Sequence, residues 1–180
     1  MATTKHTLVA IVQDKPGVLN RIVSLFRRRG FNIDSIAVGH SEVPHLSRVT
    51  IIVNGTTATV EQVRKQMDKL VDVVKIFDIT SEKTTDRELA LVKVKATSVT
   101  RSEIIEIADI FRANIVDVAS ESLTIEVTGD EDKIESMMQL LRGYGIKEIA
   151  RTGRVAMVRG NIGAVSSEDK PVRSRMKKSA

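Results

Sequence analysis

The feature that most constrains the fold of this chain is an internal repeat of one order of strands and helices. The first copy begins with the apolar run LVAIV, whose β-branched residues predict a buried strand. The elements that follow are predicted as a helix at 18–29, strands at 32–39 and 47–55, a helix from Thr59 and a strand at 73–79. This β-α-β-β-α-β order is typical of the ferredoxin-like fold.

A second copy follows a polar stretch at residues 81–88. Its predicted elements are strands at 89–96, 114–120, 123–129 and 146–153, with helices from Thr100 and from Glu131. The local sequence repeats as well, because FRRRGFNIDSIA resembles FRANIVDVA. We therefore predict two tandem α+β units at 6–80 and 89–160, joined by a linker at 81–88 and followed by a basic, disordered tail at 161–180.

The helix patterns predict which residues enter the cores and where the helices begin. In the first helix, one apolar face is predicted to contain Val18, Leu19, Ile22, Val23 and Phe26. Pro16 and Gly30 suit the start and end of this helix, and Arg27, Arg28 and Arg29 suit its negative end. Capping boxes are predicted for Thr59 with Gln62 and for Thr100 with Glu103.

Each predicted unit has an antiparallel four-stranded sheet with both helices on one face. The opposite face and two strand edges are expected to remain uncovered. Because uncovered edges and apolar faces favour pairing with another chain, the fold predicts a dimer or a larger assembly.

Composition excludes several classes of function. The chain has no Cys, which excludes disulfides, thiolate zinc sites and a cysteine nucleophile, and fits a reducing cytoplasm. No apolar run approaches the roughly 20 residues that span a bilayer, and no signal-peptide pattern begins the chain. Aromatic residues make up only 3%, so the cores must be aliphatic and base stacking on nucleic acid is not expected.

The net charge of +5 does not indicate nucleic-acid binding. Residues 166–180 contain five basic and two acidic side chains, which account for three of the five excess charges. A basic pI indicates nucleic acid only when the charge lies on a folded face. We therefore expect neither a nucleic-acid partner nor a membrane partner.

The segment DKPG at residues 14–17, here named the Pro-Gly loop, joins the first strand to the first helix. A helix start offers unpaired N–H groups to an anion, and Gly17 permits close approach to the backbone. Asp14 could accept from an ammonium group, Asn32 offers an amide, and Val18, Leu19 and Ile33 suit an aliphatic side chain. These features describe an amino-acid site, although a Pro-Gly turn also precedes helices that bind nothing.

Other candidate sites are weaker. His40 and His45 flank SEVP, but no third metal ligand accompanies them, and solvated loop histidines are the simpler interpretation. The three arginines at 27–29 are explained by the helix end, Met137 and Met138 by core spacing, and GYG by a helix-ending turn. No catalytic triad, carboxylate pair or phosphate-binding loop has a convincing context.

The quoted residues resemble a known family. DKPGVLNRIVSLFRRRGFNIDSIAVG is similar to the ACT domain, a small-molecule regulatory module. Together with LSRVTI, LVDVVKIFDI, RELALVKV, FRANIVDV and IARTGRVAMVRG, it resembles the small regulatory subunits of acetolactate synthase over residues 7–160.

The resemblance implies a non-catalytic subunit that binds and activates a large catalytic subunit in branched-chain amino-acid biosynthesis. Thiamine diphosphate, Mg²⁺ and FAD are expected on that partner, and no cofactor on this chain. Valine, or leucine or isoleucine, is implied as a feedback effector between two ACT domains of a homodimer. Carried over, the effector positions are Asp14, Lys15, Pro16, Gly17, Val18 and Leu19 of one copy, and Asn32 and Ile33 of the other.

Three further expectations follow. Several relatives have Asn at the position of Asp14, so effector identity stays open. The second unit has ATSVTRSE in place of the Pro-Gly loop and is predicted not to bind effector in the same way. The alternatives are an amino-acid-responsive transcriptional regulator, for which no helix-turn-helix pattern is present, and a stand-alone enzyme, for which no catalytic constellation is present.

Overall fold

The computed structural model describes residues 4–161, which form two compact units. Residues 4–84 and 158–161 belong to the first unit and residues 85–157 to the second. The first unit comprises β1 (Thr4–Gln13), α1 (Val18–Arg28), β2 (Ile33–His40), β3 (Leu46–Gly55), α2 (Thr57–Met67) and β4 (Val73–Asp78). Its antiparallel sheet has the strand order β2-β3-β1-β4. The predicted β-α-β-β-α-β unit is confirmed.

The second unit repeats this order and adds one strand. It comprises β5 (Thr84–Lys95), α3 (Arg101–Ile110), β6 (Asn114–Ala119), β7 (Ser122–Gly129), α4 (Glu131–Leu141), β8 (Ile146–Arg151) and β9 (Val155–Val158), with a 3₁₀ turn at Arg142–Tyr144. The strand order is β6-β7-β5-β8, and β9, which was not predicted, also pairs with β5. The stretch predicted as a linker contains the first residues of β5, and the basic tail lies outside the described residues apart from Asn161.

The two sheets share the same irregularities. β2 and β3 shift register between Ile33 and Ser35, and β6 and β7 shift between Ile115 and Asp117. The pairs β1–β4 and β5–β8 likewise shift at matching points, next to Val12 and Val94. Since bulges fix register, these matches make Asn32 of the first unit equivalent to Asn114 of the second, and Asp72 equivalent to Gly145.

Each unit has its own aliphatic core between its sheet and its two helices. Among the largest fully buried side chains, the first core contains Phe26, Leu8, Ile22, Ile51 and Met67, and the second contains Ile104, Leu123, Ile125, Ile134 and Met137. Burial of one such side chain contributes about 2 kcal/mol. Across residues 4–161, no helix is both long and apolar enough to cross a bilayer.

The predicted core face of α1 is partly wrong. Val18, Ile22 and Phe26 are buried, but Leu19 and Val23 remain 43% and 40% exposed. Leu25, which was not predicted, takes their place in the core. Leu19 and Val23 lie four residues apart and therefore form a separate apolar stripe on the surface of the helix.

The predicted helix starts are also corrected. Thr56, not Thr59, caps α2, because its side chain accepts the N–H of Thr59. Thr100 does begin α3, but it forms no side-chain cap. Pro16 lies one residue before the cap position of α1, which Gly17 occupies.

The expectation of an uncovered sheet face is wrong for the first unit. Val9, Ile11 and Ile52 point away from the helices, yet each is at most 2% exposed. In the second unit the equivalent face is open, since Leu91 is 37% exposed and the side chain of Lys93 is 41% exposed. The continuous apolar run of β1, buried at consecutive positions from Leu8 to Val12, places apolar side chains on both faces of the first sheet.

Candidate functional site

Two backbone hydrogen bonds hold the start of the Pro-Gly loop. Gln13 donates its N–H to the carbonyl of Asp72 at 2.8 Å, and Asp14 donates to the carbonyl of His45 at 2.9 Å. Gly17 then adopts φ +85° as the cap residue of α1. This left-handed conformation favours glycine, so the sequence DKPG dictates a sharp turn directly into the helix.

The first turn of α1 exposes backbone donors. Within residues 4–161 no side chain caps α1 or α3, whereas Thr56 caps α2 and Asp130 caps α4. In the same part of the chain, the N–H groups of Leu19 and Asn20 have no hydrogen-bond partner. Free amides at the positive end of a helix dipole form a site for a carboxylate.

A shallow cavity of about 100 Å³ lies beside this helix start. Its walls are Val12, Gln13, Asp14, Lys15, Val18, Leu19, Val38, Ser47 and Val49. Both an anionic and a cationic side chain therefore border an apolar floor. This volume is smaller than the roughly 300 Å³ or more that ligand sites usually enclose.

The structure brings six of the eight predicted site residues together. Asp14, Lys15, Val18 and Leu19 line the cavity, and Pro16 and Gly17 complete the loop beside it. Asn32 and Ile33 lie past the other end of α1, whose 11 residues span about 16 Å. They do not reach the Pro-Gly loop of their own chain.

Sequence reasoning missed the side chain that lies against Asp14. His40 Nδ1 lies 3.3 Å from Asp14 Oδ2, at the rim of the loop. His45 adopts φ +66°, and its carbonyl accepts the N–H of Asp14. These histidines therefore shape the loop, and no cluster of three potential metal ligands occurs in residues 4–161.

The equivalent corner of the second unit has a hydrogen-bond network of its own side chains. Thr97 and Thr100 each accept the other's N–H through their hydroxyl groups, at 3.3 and 3.0 Å. Arg101 Nη2 donates to the carbonyls of Ala119 and Ser120, both at 2.8 Å. The start of α3 therefore differs chemically from the start of α1.

The outer edge of the first sheet is apolar as well as open. β2 is an edge strand, and its Val38 is 51% exposed. The stripe of Leu19 and Val23 on α1 adds further exposed apolar surface. An open edge with apolar neighbours is suited to pairing with another strand.

The β-α-β-β-α-β unit with a Pro-Gly loop at an uncapped helix start defines a protein of the ACT-domain class. Residues 8–75 match the family described as AHAS small subunit-like ACT domain, and residues 87–160 match the family described as small subunit of acetolactate synthase. The chain belongs to the acetolactate synthase small-subunit family.

Relatives cover almost the whole described chain. A probable acetolactate synthase small subunit of Archaeoglobus fulgidus is 56% identical, over 87% of this chain and 98% of the relative. The acetolactate synthase small subunit of Mycolicibacterium smegmatis is 51% identical, over 88% of this chain and 93% of the relative. The crystal structure of the acetolactate synthase small subunit from Thermotoga maritima matches with a TM-score of 0.81 at 44% identity. The match covers 88% of this chain and 99% of that structure.

Proposed function

We propose that this chain is a non-catalytic regulatory subunit that binds and activates the large catalytic subunit of acetolactate synthase. It makes that enzyme responsive to a branched-chain amino acid, with valine as the first candidate and leucine and isoleucine next. The observation that carries the proposal is the uncapped start of α1 beside the cavity at the Pro-Gly loop. The match to the small-subunit family, with relatives at about half identity, supports a large catalytic subunit as the partner.

The effector is bound as a zwitterion. Its carboxylate accepts from the free N–H groups of Leu19 and Asn20. Its ammonium group faces the carboxylate of Asp14, which in the unliganded chain pairs with His40. Its aliphatic side chain packs on Val18 and Val38 in the cavity.

A second copy of the chain completes the site. Asn32 lies about a helix length from the Pro-Gly loop of its own chain. Antiparallel pairing of two β2 edges about a two-fold axis brings the start of one β2 toward the end of the other, where Val38 lines the cavity. Asn32 and Ile33 of one copy then face Asp14–Leu19 of its partner, as the resemblance implied.

Regulation follows from this shared site. An effector that bridges two chains changes activity only through its different affinities for two arrangements of those chains. Affinities from micromolar to millimolar correspond to about 4–8 kcal/mol in total. A near-complete switch needs a difference of about 5.5 kcal/mol, so we expect partial inhibition.

The chemistry belongs to the partner. Thiamine diphosphate, Mg²⁺ and FAD are bound by the large subunit, and the assembly works in the cytoplasm in the synthesis of valine, leucine and isoleucine. No nucleic acid and no membrane takes part.

Reconstitution tests this proposal. The purified chain is mixed with the large subunit of the same organism, and acetolactate formation is measured with and without each branched-chain amino acid. We expect activation on mixing and partial inhibition by at least one amino acid, with binding of that amino acid to the chain detected by calorimetry. A large subunit whose activity is unchanged by the chain would contradict the proposal.

A further inference from the structure

Asp72 connects both ends of the Pro-Gly loop. Its carbonyl oxygen accepts the N–H of Gln13, the residue directly before the loop, at 2.8 Å. Its carboxylate Oδ2 lies 2.7 Å from Nε of Arg21, in the first turn of α1 directly after the loop. Arg21 in turn donates its backbone N–H to the carbonyl of Gly17 at 3.0 Å.

The carboxylate of Asp72 depends on this one ion pair. Asp72 is 7% exposed, whereas the side chain of Arg21 is 53% exposed. Oδ2 is buried and, among the described residues, receives no well-directed hydrogen bond, because the short contact to Nε is not aligned with the N–H bond. The contact is thus an ion pair, and a buried carboxylate that lost it would remain uncompensated.

The second unit shows that the fold does not need this carboxylate. Gly145 occupies the position equivalent to Asp72, and its carbonyl accepts the N–H of Lys95 at 2.9 Å. The backbone hydrogen bond is therefore common to both units, but the side-chain link to the helix occurs only in the first. That unit is also the one in which the helix start follows the Pro-Gly loop and borders the cavity.

We propose that Asp72 and Arg21 are positioning residues for the effector site. Their ion pair fixes the first turn of α1 relative to the strand end at Gln13, and so sets where the free amides of Leu19 and Asn20 lie. Neither side chain lines the cavity. This inference rests on the proposed function, since it concerns the same site.

The test measures valine inhibition of the reconstituted complex with the variants Asp72→Asn, Arg21→Gln and Arg21→Lys. Asp72→Asn and Arg21→Gln should each raise the valine concentration for half inhibition about tenfold. Part of the free energy that is lost with the buried ion pair then weakens effector binding. Arg21→Lys keeps the charge and should restore most of the response. The double variant should be no worse than either single variant, since one interaction is lost in all three.

A matched control separates positioning from general instability. Arg142→Gln removes another arginine–carboxylate contact, 3.1 Å from Glu135 in the second unit, and should leave valine inhibition unchanged. Activation of the large subunit, measured below the melting temperature, should stay within about twofold for all variants. Should Asp72→Asn fail to fold, Arg21→Gln decides the question, because Arg21 is half exposed.

Two outcomes would overturn the inference. One is a folded Arg21→Gln or Asp72→Asn variant inhibited at the wild-type valine concentration. The other is a parallel loss of activation and inhibition, which would assign the pair to stability alone. A wild-type complex that responds to no branched-chain amino acid would instead refute the proposed function.

Discussion

Phe31 donates its backbone N–H to the carbonyl oxygen of Phe26 at 3.0 Å, and their rings meet edge to face with centroids 6.3 Å apart. Gly30, at φ +69°, makes this helix end possible and donates to Arg27 at 3.1 Å. The paired bonds and the apolar contact form a Schellman motif. They direct the chain into β2 and so place the backbone at Asn32, whose side chain has no hydrogen-bond partner among residues 4–161.

Asn32→Ala should weaken effector binding while activation of the catalytic subunit persists. The loss of one amide hydrogen bond to a charged ligand corresponds to about 2 kcal/mol, or roughly a 30-fold higher valine concentration for half inhibition. Asn114→Ala is the matched control, because Asn114 holds the equivalent position and bonds to Glu126 at 3.1 Å. Equal loss of activation and inhibition in Asn32→Ala would show that Asn32 holds the fold or the dimer together.

Gly17→Asp should abolish valine inhibition, because its carboxylate would lie beside the amides that the effector carboxylate needs. The variant Gly17→Ala distinguishes the effect of the added charge on inhibition from the effect of backbone strain. An added Cβ meets no atom within 4 Å, so the alanine costs only about 1 kcal/mol for the left-handed conformation. We expect Ala to retain inhibition and Asp to lose it, in the same acetolactate assay. Normal valine inhibition of the Gly17→Asp variant would show that the effector site is assigned wrongly.

Patterns of local origin predicted most of the fold. The apolar alternation of β3 and the stripe of α4 gave strands and helices close to those observed, and the repeat gave the topology. The Pro-Gly loop was recognised because Gly17 and Pro16 are local signals. The predicted cap at Thr59 was wrong because several threonines lie close together at the start of α2. Only the structure shows which of them turns its hydroxyl toward a free N–H.

Features that depend on distant contacts could not be predicted. The contact of His40 with Asp14 requires the end of β2 to lie beside the β1–α1 corner. The role of Asp72 requires β4 to pair beside β1. Leu19 looked like a core residue because its spacing to Ile22 fits a helix face, but the sheet covers only part of that face.

Val23→Glu should convert the proposed dimer to monomers. Val23 lies in the exposed stripe of α1, and a dimer through β2 would bury the new charge without a partner. Light scattering coupled to gel filtration measures the mass. Val99→Glu, at a valine that is 80% exposed in the second unit, should leave the mass unchanged. A dimeric Val23→Glu protein would place the interface elsewhere.

Glu61 should titrate with a pKa of about 2, lowered from its usual 4.5 by a two-pronged hydrogen bond from Arg64 at 2.7 and 2.8 Å. Because the folded-state pKa is depressed, the pair stabilises the fold above pH 4.5, and this contribution is lost as pH falls toward 2. Carbon-detected NMR titration measures the pKa directly. Arg64→Gln should raise the pKa toward 4.5, and Lys65→Gln should change it less. An unchanged pKa in Arg64→Gln would show that another group is responsible.

Arg154→Met should destabilise the second unit without affecting the first. Arg154, whose side chain is 13% exposed, lies 3.2 Å from Glu88 in β5 and also bonds to Glu131 at the start of α4. Its loss leaves a largely buried carboxylate short of one cation, which costs about 3 kcal/mol. Tyr144 is the only tyrosine in a chain without tryptophan, so its fluorescence during urea unfolding reports on the second unit alone. Arg142→Met, at a solvent-exposed ion pair, should cost under about 0.5 kcal/mol, and an equal effect of the two variants would show that the buried network adds nothing beyond surface charge.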